Sequence, residues 1–280
     1  MRMPAALNCD VLTAARCPAD FGSLTVSPGL VGVLGGMGPL ATVDFMQKML
    51  DATPARCDQE HVPALVSSIP QIPDRTRAFQ GAGDSPLPAL LECADRLRAG
   101  GASLIVIPCN TAHLWFDEVQ AHVGIPMLHI VDAALEEAAG SGRNGRFGLL
   151  ATPATTASGL YTRREAPALG GQSDEWVLPT DLEMSEWVAP GIAAVKAGRV
   201  KEGEALLQLA AQALHNRGAC SIVLGCTEIP LVLDERNTPV PTIDATAALA
   251  RRAVRWSQRV RAATTQIPAT ARSQLASVSA

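Results

Sequence analysis

Three features of the sequence predict an α/β fold built as two similar halves. Short apolar runs alternate with longer helical patterns, the whole series of elements occurs twice, and each half ends one of its apolar runs in a cysteine. Strand–helix alternation of this kind means βαβ units and a parallel sheet covered on both faces.

In order along the chain, Val31–Leu34 is the first strand and ends in a glycine turn, followed by a helical stretch over Pro39–Leu50. Ala64–Ile69 is the second strand, and a Pro-rich loop leads from it to a helix over Leu87–Ala99. Ser103–Ile107 is the third. After it, Ala112, Trp115, Val119 and Val123 fall on one face of a helix. Ile125–Ile130 closes the half. The second half repeats this series: Val31–Gly36 lines up with Phe147–Thr152, and Arg98–Cys109 with Asn216–Cys226. Ile125-Pro126 with Asp132 then matches Val240-Pro241 with Asp244. The spacings from Leu34 to Cys109 and from Leu150 to Cys226 differ by a single residue.

Two Rossmann-like or flavodoxin-like domains related by a pseudo-twofold axis are therefore expected, with the active site in the cleft between them. The first comprises 30–129 with 239–262 and carries Cys109; the second comprises 130–238 and carries Cys226. Residues 1–29 read as a disordered extension that fails as a secretory signal, and 263–280 as a disordered tail.

Composition narrows the function. The chain has 280 residues, 48% hydrophobic and 18% charged, and a net charge of −4. No basic stripe is present, which argues against nucleic acid as a partner. No apolar run approaches the roughly 18 residues that span a bilayer. The seven cysteines are scattered without a Cys-x-x-Cys pair, so neither a disulfide framework nor a zinc site is signalled, and a reducing cytoplasm is the expected compartment.

Cys109 and Cys226 both stand where a strand stops and a helix is expected to begin. Ligands of open parallel sheets sit beyond the carboxyl ends of the strands, so each half delivers one thiol to that edge. A thiol on each face of a tetrahedral carbon suits stereoinversion: one thiolate removes a proton, and the other thiol returns one to the opposite face. An expected helix start beside each cysteine favours the thiolate. Asn110, Thr111, Thr227 and Glu228 follow as polar groups able to hold a carboxylate or an amine.

The motifs GGMGP (35–39), DQEH (58–61), PQIPDRT (70–76), PCNTAH (108–113) and GCTE (225–228) together resemble the aspartate/glutamate racemase family, most closely its aspartate racemases. The likeness covers about Gly29 to Arg261. It implies an isomerase that needs no cofactor, uses Cys109 and Cys226 as its acid–base pair, and forms a homodimer. It also implies that Cys226 works on the L enantiomer and Cys109 on the D. Arg75 and Lys196 occupy positions that the resemblance makes carboxylate binders; without it, Arg75 reads as a loop charge paired with Asp74 and Lys196 as a solvent-facing helix residue. A dicarboxylate needs more than one cation, and arginine offers it a planar fork. Because Lys196 lies between Gly191 and Gly198, closure of that segment over substrate is expected. Broad-specificity relatives resemble this family but replace the first thiol with threonine, so Cys109 favours an acidic substrate.

Gly36–Ala41 also fits the looser dinucleotide fingerprint. The second strand, however, ends without the acidic residue that a nicotinamide ribose requires, and Pro39 removes a backbone N–H. The turn therefore reads as substrate-binding, with Met37 lining the cleft. Thr152, Thr155 and Thr156 are expected to face the cleft, as is Gln71. His113 and His61 read as local hydrogen-bonding residues, Cys220 as core, and no metal is expected.

The leading expectation is a cofactor-independent racemase of L- and D-aspartate, with glutamate as a possible second substrate. The alternatives are a maleate-type cis–trans isomerase on the same fold and a non-catalytic amino-acid-binding protein. An arylmalonate decarboxylase with a single cysteine fits less well because both thiols are present.

Overall fold

The computed structural model describes residues 27–141, 145–164 and 176–265. Two parallel sheets organise it. The first contains β1 (Val31–Gly35), β2 (Ala64–Ser68), β3 (Leu104–Val106) and β4 (Met127–Leu128) in the order β2-β1-β3-β4. The second contains β5 (Phe147–Ala151), β6 (Ser221–Gly225) and β7 (Thr242–Asp244) in the order β5-β6-β7. A single parallel bridge from Val177 to Gly148 stands beside β5 where β2 stands beside β1. The repeat read from the sequence is thus a repeat of sheet topology.

Alternation along the strands explains why both sheet faces are covered. Val31 and Val33 of β1, Leu104 and Val106 of β3, and Phe147 and Leu149 of β5 all enter one core. Their neighbours point the other way: Leu34, Ile105 and Ile107 join a separate core of the first half, and Leu150, Ile222 and Leu224 join one of the second. Successive strand residues face opposite sides, so continuous apolar runs are what a doubly covered parallel sheet demands.

The shared core is closed by α1 (Pro39–Asp51), α5 (Ile130–Gly140) and α10 (Ala245–Thr265), with α10 packed on both of the others. Asp244 starts α10 by accepting hydrogen bonds from the backbone N–H groups of Thr246 (2.8 Å) and Ala247 (3.0 Å), the usual role of a carboxylate at a helix start. Its other oxygen meets Lys48 of α1 at 2.7 Å, tying the two halves together. On the outer faces lie α3 (Leu87–Ala99) and α4 (Phe116–Val123) in the first half, and α8 (Ala189–Lys196) and α9 (Val200–Asn216) in the second. Two short helices, α2 (Arg75–Phe79) and α6 (Pro153–Ala157), follow β2 and β5 near the strand ends; α7 (Asp181–Glu183) leads into α8 through a wide π turn over Met184–Val188.

Several expectations need correction. The strand at 242–244 pairs with β6, so it belongs to the second sheet and not to the first domain; it is the counterpart of β4, as the repeat itself implied. Neither thiol precedes an α-helix. Cys109 is followed by a 3-10 turn over Thr111–Trp115 before α4, and Cys226 by a three-residue 3-10 turn, Ile229–Leu231, with Pro230 inside it. Support of a thiolate by a helix dipole therefore falls away, because that effect needs aligned turns. Cys57 is disulfide-bonded, a pairing the scattered cysteines did not signal, whereas Cys93, Cys109, Cys220 and Cys226 are free. Cys220 is exposed and not core. The expectations for the two tails fall on 1–26 and 266–280, outside the described residues, except that α10 runs on to Thr265. Among the described residues no helix is long and apolar enough to cross a membrane.

Candidate active site

β3 and β6 are the middle strands that carry the two thiols. Both Cys109 and Cys226 line one small cavity at the carboxyl ends of the sheets, together with Met37, Arg75, Thr152 and Lys196. Asn110, Thr111, Thr227 and Glu228 complete the predicted wall, and Asp74 and Thr76 add to it. Its free space is about 10 Å³, roughly room for one water. Gln71 is exposed and does not line the cavity: the loop turns it outward and Ile72 inward, where that side chain is 3% exposed.

Each wall residue is held by identifiable contacts. Gly36 has a φ of +94°, and a side chain there would meet the Ile69 backbone at 2.4 Å, so only glycine fits this turn. The N–H of Gly36 donates to Thr42 Oγ1 at 2.8 Å and that of Gly38 to Glu228 Oε1 at 3.1 Å. The donors a pyrophosphate would need are thus already engaged, in accord with the reading against a dinucleotide.

Arg75 is only 8% exposed. Its guanidinium donates to the carbonyls of Ile72 (3.1 Å), Pro73 (3.0 Å) and Met37 (3.4 Å), while Nε has no partner. Asp74 does not pair with it; that carboxylate starts α2 by accepting from the Arg77 N–H at 2.8 Å. Lys196, at the end of α8, is exposed as a residue and borders the cavity. Desolvation would lower its pKa, but the Glu228 carboxylate and both cysteines outweigh this and hold it above the ordinary lysine value. Gly191 lets α8 and α9 pack closely, since a side chain there would strike Leu207 at 2.8 Å.

The two halves meet in hydroxyl contacts beside the thiols. Thr111 Oγ1 lies 2.9 Å from Thr152 Oγ1 and 3.0 Å from Thr155 Oγ1. His113 stands behind Cys109: its Nδ1 is 2.8 Å from the Cys109 carbonyl and its Nε2 accepts from the Ile130 N–H at 3.1 Å. Burial pushes its pKa down to about 4, so the ring is a neutral strut, in line with a local hydrogen-bonding role. Among the described residues no cluster of three or more His, Cys, Asp or Glu side chains could hold a metal.

Cys226 Sγ donates to Glu228 Oε2 at 3.1 Å. Burial, and then the adjacent carboxylate, push its pKa well above the usual thiol value, and Lys196 opposes them. This thiol is held as an acid. The sequence makes Glu228 a candidate substrate-binding group; in the structure it bridges the halves, one oxygen on Gly38 and the other on Cys226.

The chain belongs to the Asp/Glu/Hydantoin racemase family, whose model matches residues 34–253. It is an isomerase of the amino-acid racemase type. It is 30% identical over 230 residues to the broad specificity amino-acid racemase RacX of Bacillus subtilis, covering 80% of this chain and 96% of that protein. The Picrophilus torridus aspartate racemase superposes with a TM-score of 0.73 at 31% identity, over 82% of this chain and 94% of that one. An aspartate racemase homologue from Pyrococcus horikoshii gives 0.63 at 26% identity, over 82% and 99% of the respective chains.

Proposed function

We propose that the protein interconverts L- and D-aspartate, with glutamate as a secondary substrate, by proton transfer between Cys109 and Cys226 without a cofactor. The observation that carries this reading is that the two thiols, delivered by equivalent strands, share one enclosed cavity with two cations in its wall. The likeness to an aspartate racemase agrees with it.

In this scheme Arg75 and Lys196 hold the two carboxylates, and Asn110 and the threonine hydroxyls complete their hydrogen bonding. Removing the α proton of an amino acid without an electron sink requires water to be excluded and the developing charge to meet fixed donors. A cavity with room for roughly one water meets the first requirement. In one direction Cys226 delivers its proton; in the other it must ionise, and Lys196 is the group that favours ionisation.

The test is incubation of L-aspartate in heavy water with chiral analysis and mass read together. D-aspartate carrying one α deuteron is expected. A maleate-type isomerase would leave the α position unlabelled, and a non-catalytic binding protein would bind aspartate and leave its circular dichroism constant; either outcome would sink the proposal.

The raised Cys226 pKa gives the pH dependence a sign. In the direction where Cys226 is the base, kcat/KM rises with pH, and its limb lies above the ordinary thiol range. Glu228→Gln removes the neighbouring negative charge, lowers the thiol pKa and moves that limb to lower pH. A limb that stays in place in the variant's pH profile would remove Glu228 from this account.

The proposal includes homodimerisation and a cytoplasmic location. Exposed Leu40, Val43 and Leu50 on α1 supply an apolar stripe for the first. Two free thiols at the site favour a reducing compartment for the second, and the Cys57 disulfide weighs against it.

A further inference from the structure

Tyr161 is the only tyrosine in the chain. It lies in the turn after α6, in the second half, and is 1% exposed. Its hydroxyl donates to Asn110 Oδ1 at 2.6 Å. Asn110 belongs to the first half, directly follows Cys109, is 2% exposed and lines the cavity. Its amide nitrogen is buried without a partner.

A side-chain amide has two chemically opposite ends, and which end faces a cavity depends on what holds the other. Among the described residues Asn110 Oδ1 is the acceptor that takes the Tyr161 proton. Burial raises the phenol pKa further, so the hydroxyl keeps its proton and its donor role. With Oδ1 fixed in this way, the NH2 group is the end left over. A buried donor with no acceptor is unfavourable, and an incoming carboxylate oxygen relieves it.

We infer that Tyr161 is a positioning residue: it fixes the polarity of Asn110, so that the site presents an N–H donor, and not a carbonyl, to a substrate carboxylate beside Cys109. This rests on the carboxylate-binding part of the proposed function and adds a residue outside the cavity wall. Without the hydroxyl, the amide is free to turn and offer Oδ1 to an anion. The contribution lies in binding, so KM and not kcat carries the effect.

Succinate, a dicarboxylate with no α proton to exchange, is a suitable probe. Tyr161→Phe is expected to weaken succinate binding by calorimetry about tenfold, and to raise KM for aspartate by a similar factor with kcat changed less than about threefold. Asn110→Ala should weaken it comparably, and the double variant should be no weaker than Asn110→Ala alone, because Tyr161 acts through that amide. Wild-type-like succinate binding by Tyr161→Phe, or effects that add in the double variant, would overturn the inference. If the native protein binds succinate with this coupling yet does not racemise aspartate, the inference stands and the proposed function alone falls. If the native protein binds no succinate, the inference falls, and the heavy-water experiment decides the proposed function separately.

Discussion

Replacing Cys226 by serine is expected to reduce aspartate racemisation by at least about 10³-fold, and replacing Cys109 by serine is expected to do the same. General acid–base groups contribute roughly 10²–10⁴-fold each, and a serine hydroxyl ionises too far above neutrality to replace a thiolate. The informative part is what survives. A variant with one thiol can still remove and return a proton on its own face, so each should exchange the α hydrogen of one enantiomer with heavy water while failing to invert it. The two variants should be complementary, with Cys109→Ser retaining exchange of L-aspartate if Cys226 serves that face. Equal exchange of both enantiomers by one variant, or racemisation that persists, would contradict proton transfer between two thiols on opposite faces.

Phe45→Ala is expected to cost about 3–5 kcal/mol of stability, the range for removing a fully buried aromatic side chain. Phe45 is 0% exposed and sits in the core that receives β1 and β3 from one sheet and β5, β6 and β7 from the other. Because that core is common to both halves, the loss should move a single unfolding transition, not detach one half from the other. Urea unfolding followed by tryptophan fluorescence and by far-ultraviolet circular dichroism should give coincident curves, with the midpoint lowered equally in both. Two separated transitions would mean that the halves fold independently and that the shared core contributes little between them.

Much of this architecture could be read from the chain because its signals are local. The apolar runs, Pro39 at a helix start and the recurrence of cysteine after β3 and β6 each depend on a few adjacent residues. The helix over Leu87–Ala99 was likewise legible, bounded by a proline and a glycine. What escaped depends on distant partners. The strand 242–244 was misassigned because its sequence does not say which edge it joins, and only pairing with Leu224 and its neighbours settles that. Gln71 and Ile72 are equally plausible loop residues until the backbone decides which one turns inward. Tyr161 carried no local sign of its role; its contact with Asn110 spans 51 positions, and only its being the sole tyrosine could have drawn notice.

Outside the inner cavity lies a second space of about 420 Å³, bordered by Leu40, Ile72, Val195 and Leu231. Asp74, Arg75, Lys196 and Glu228 border both, forming a charged partition between a roomy porch and a closet too tight for a diacid. On the proposed function, entry of a diacid requires that partition to part, and the two cations assigned to its carboxylates stand in it. An anion then meets Arg75 and Lys196 in the outer space before it reaches either thiol.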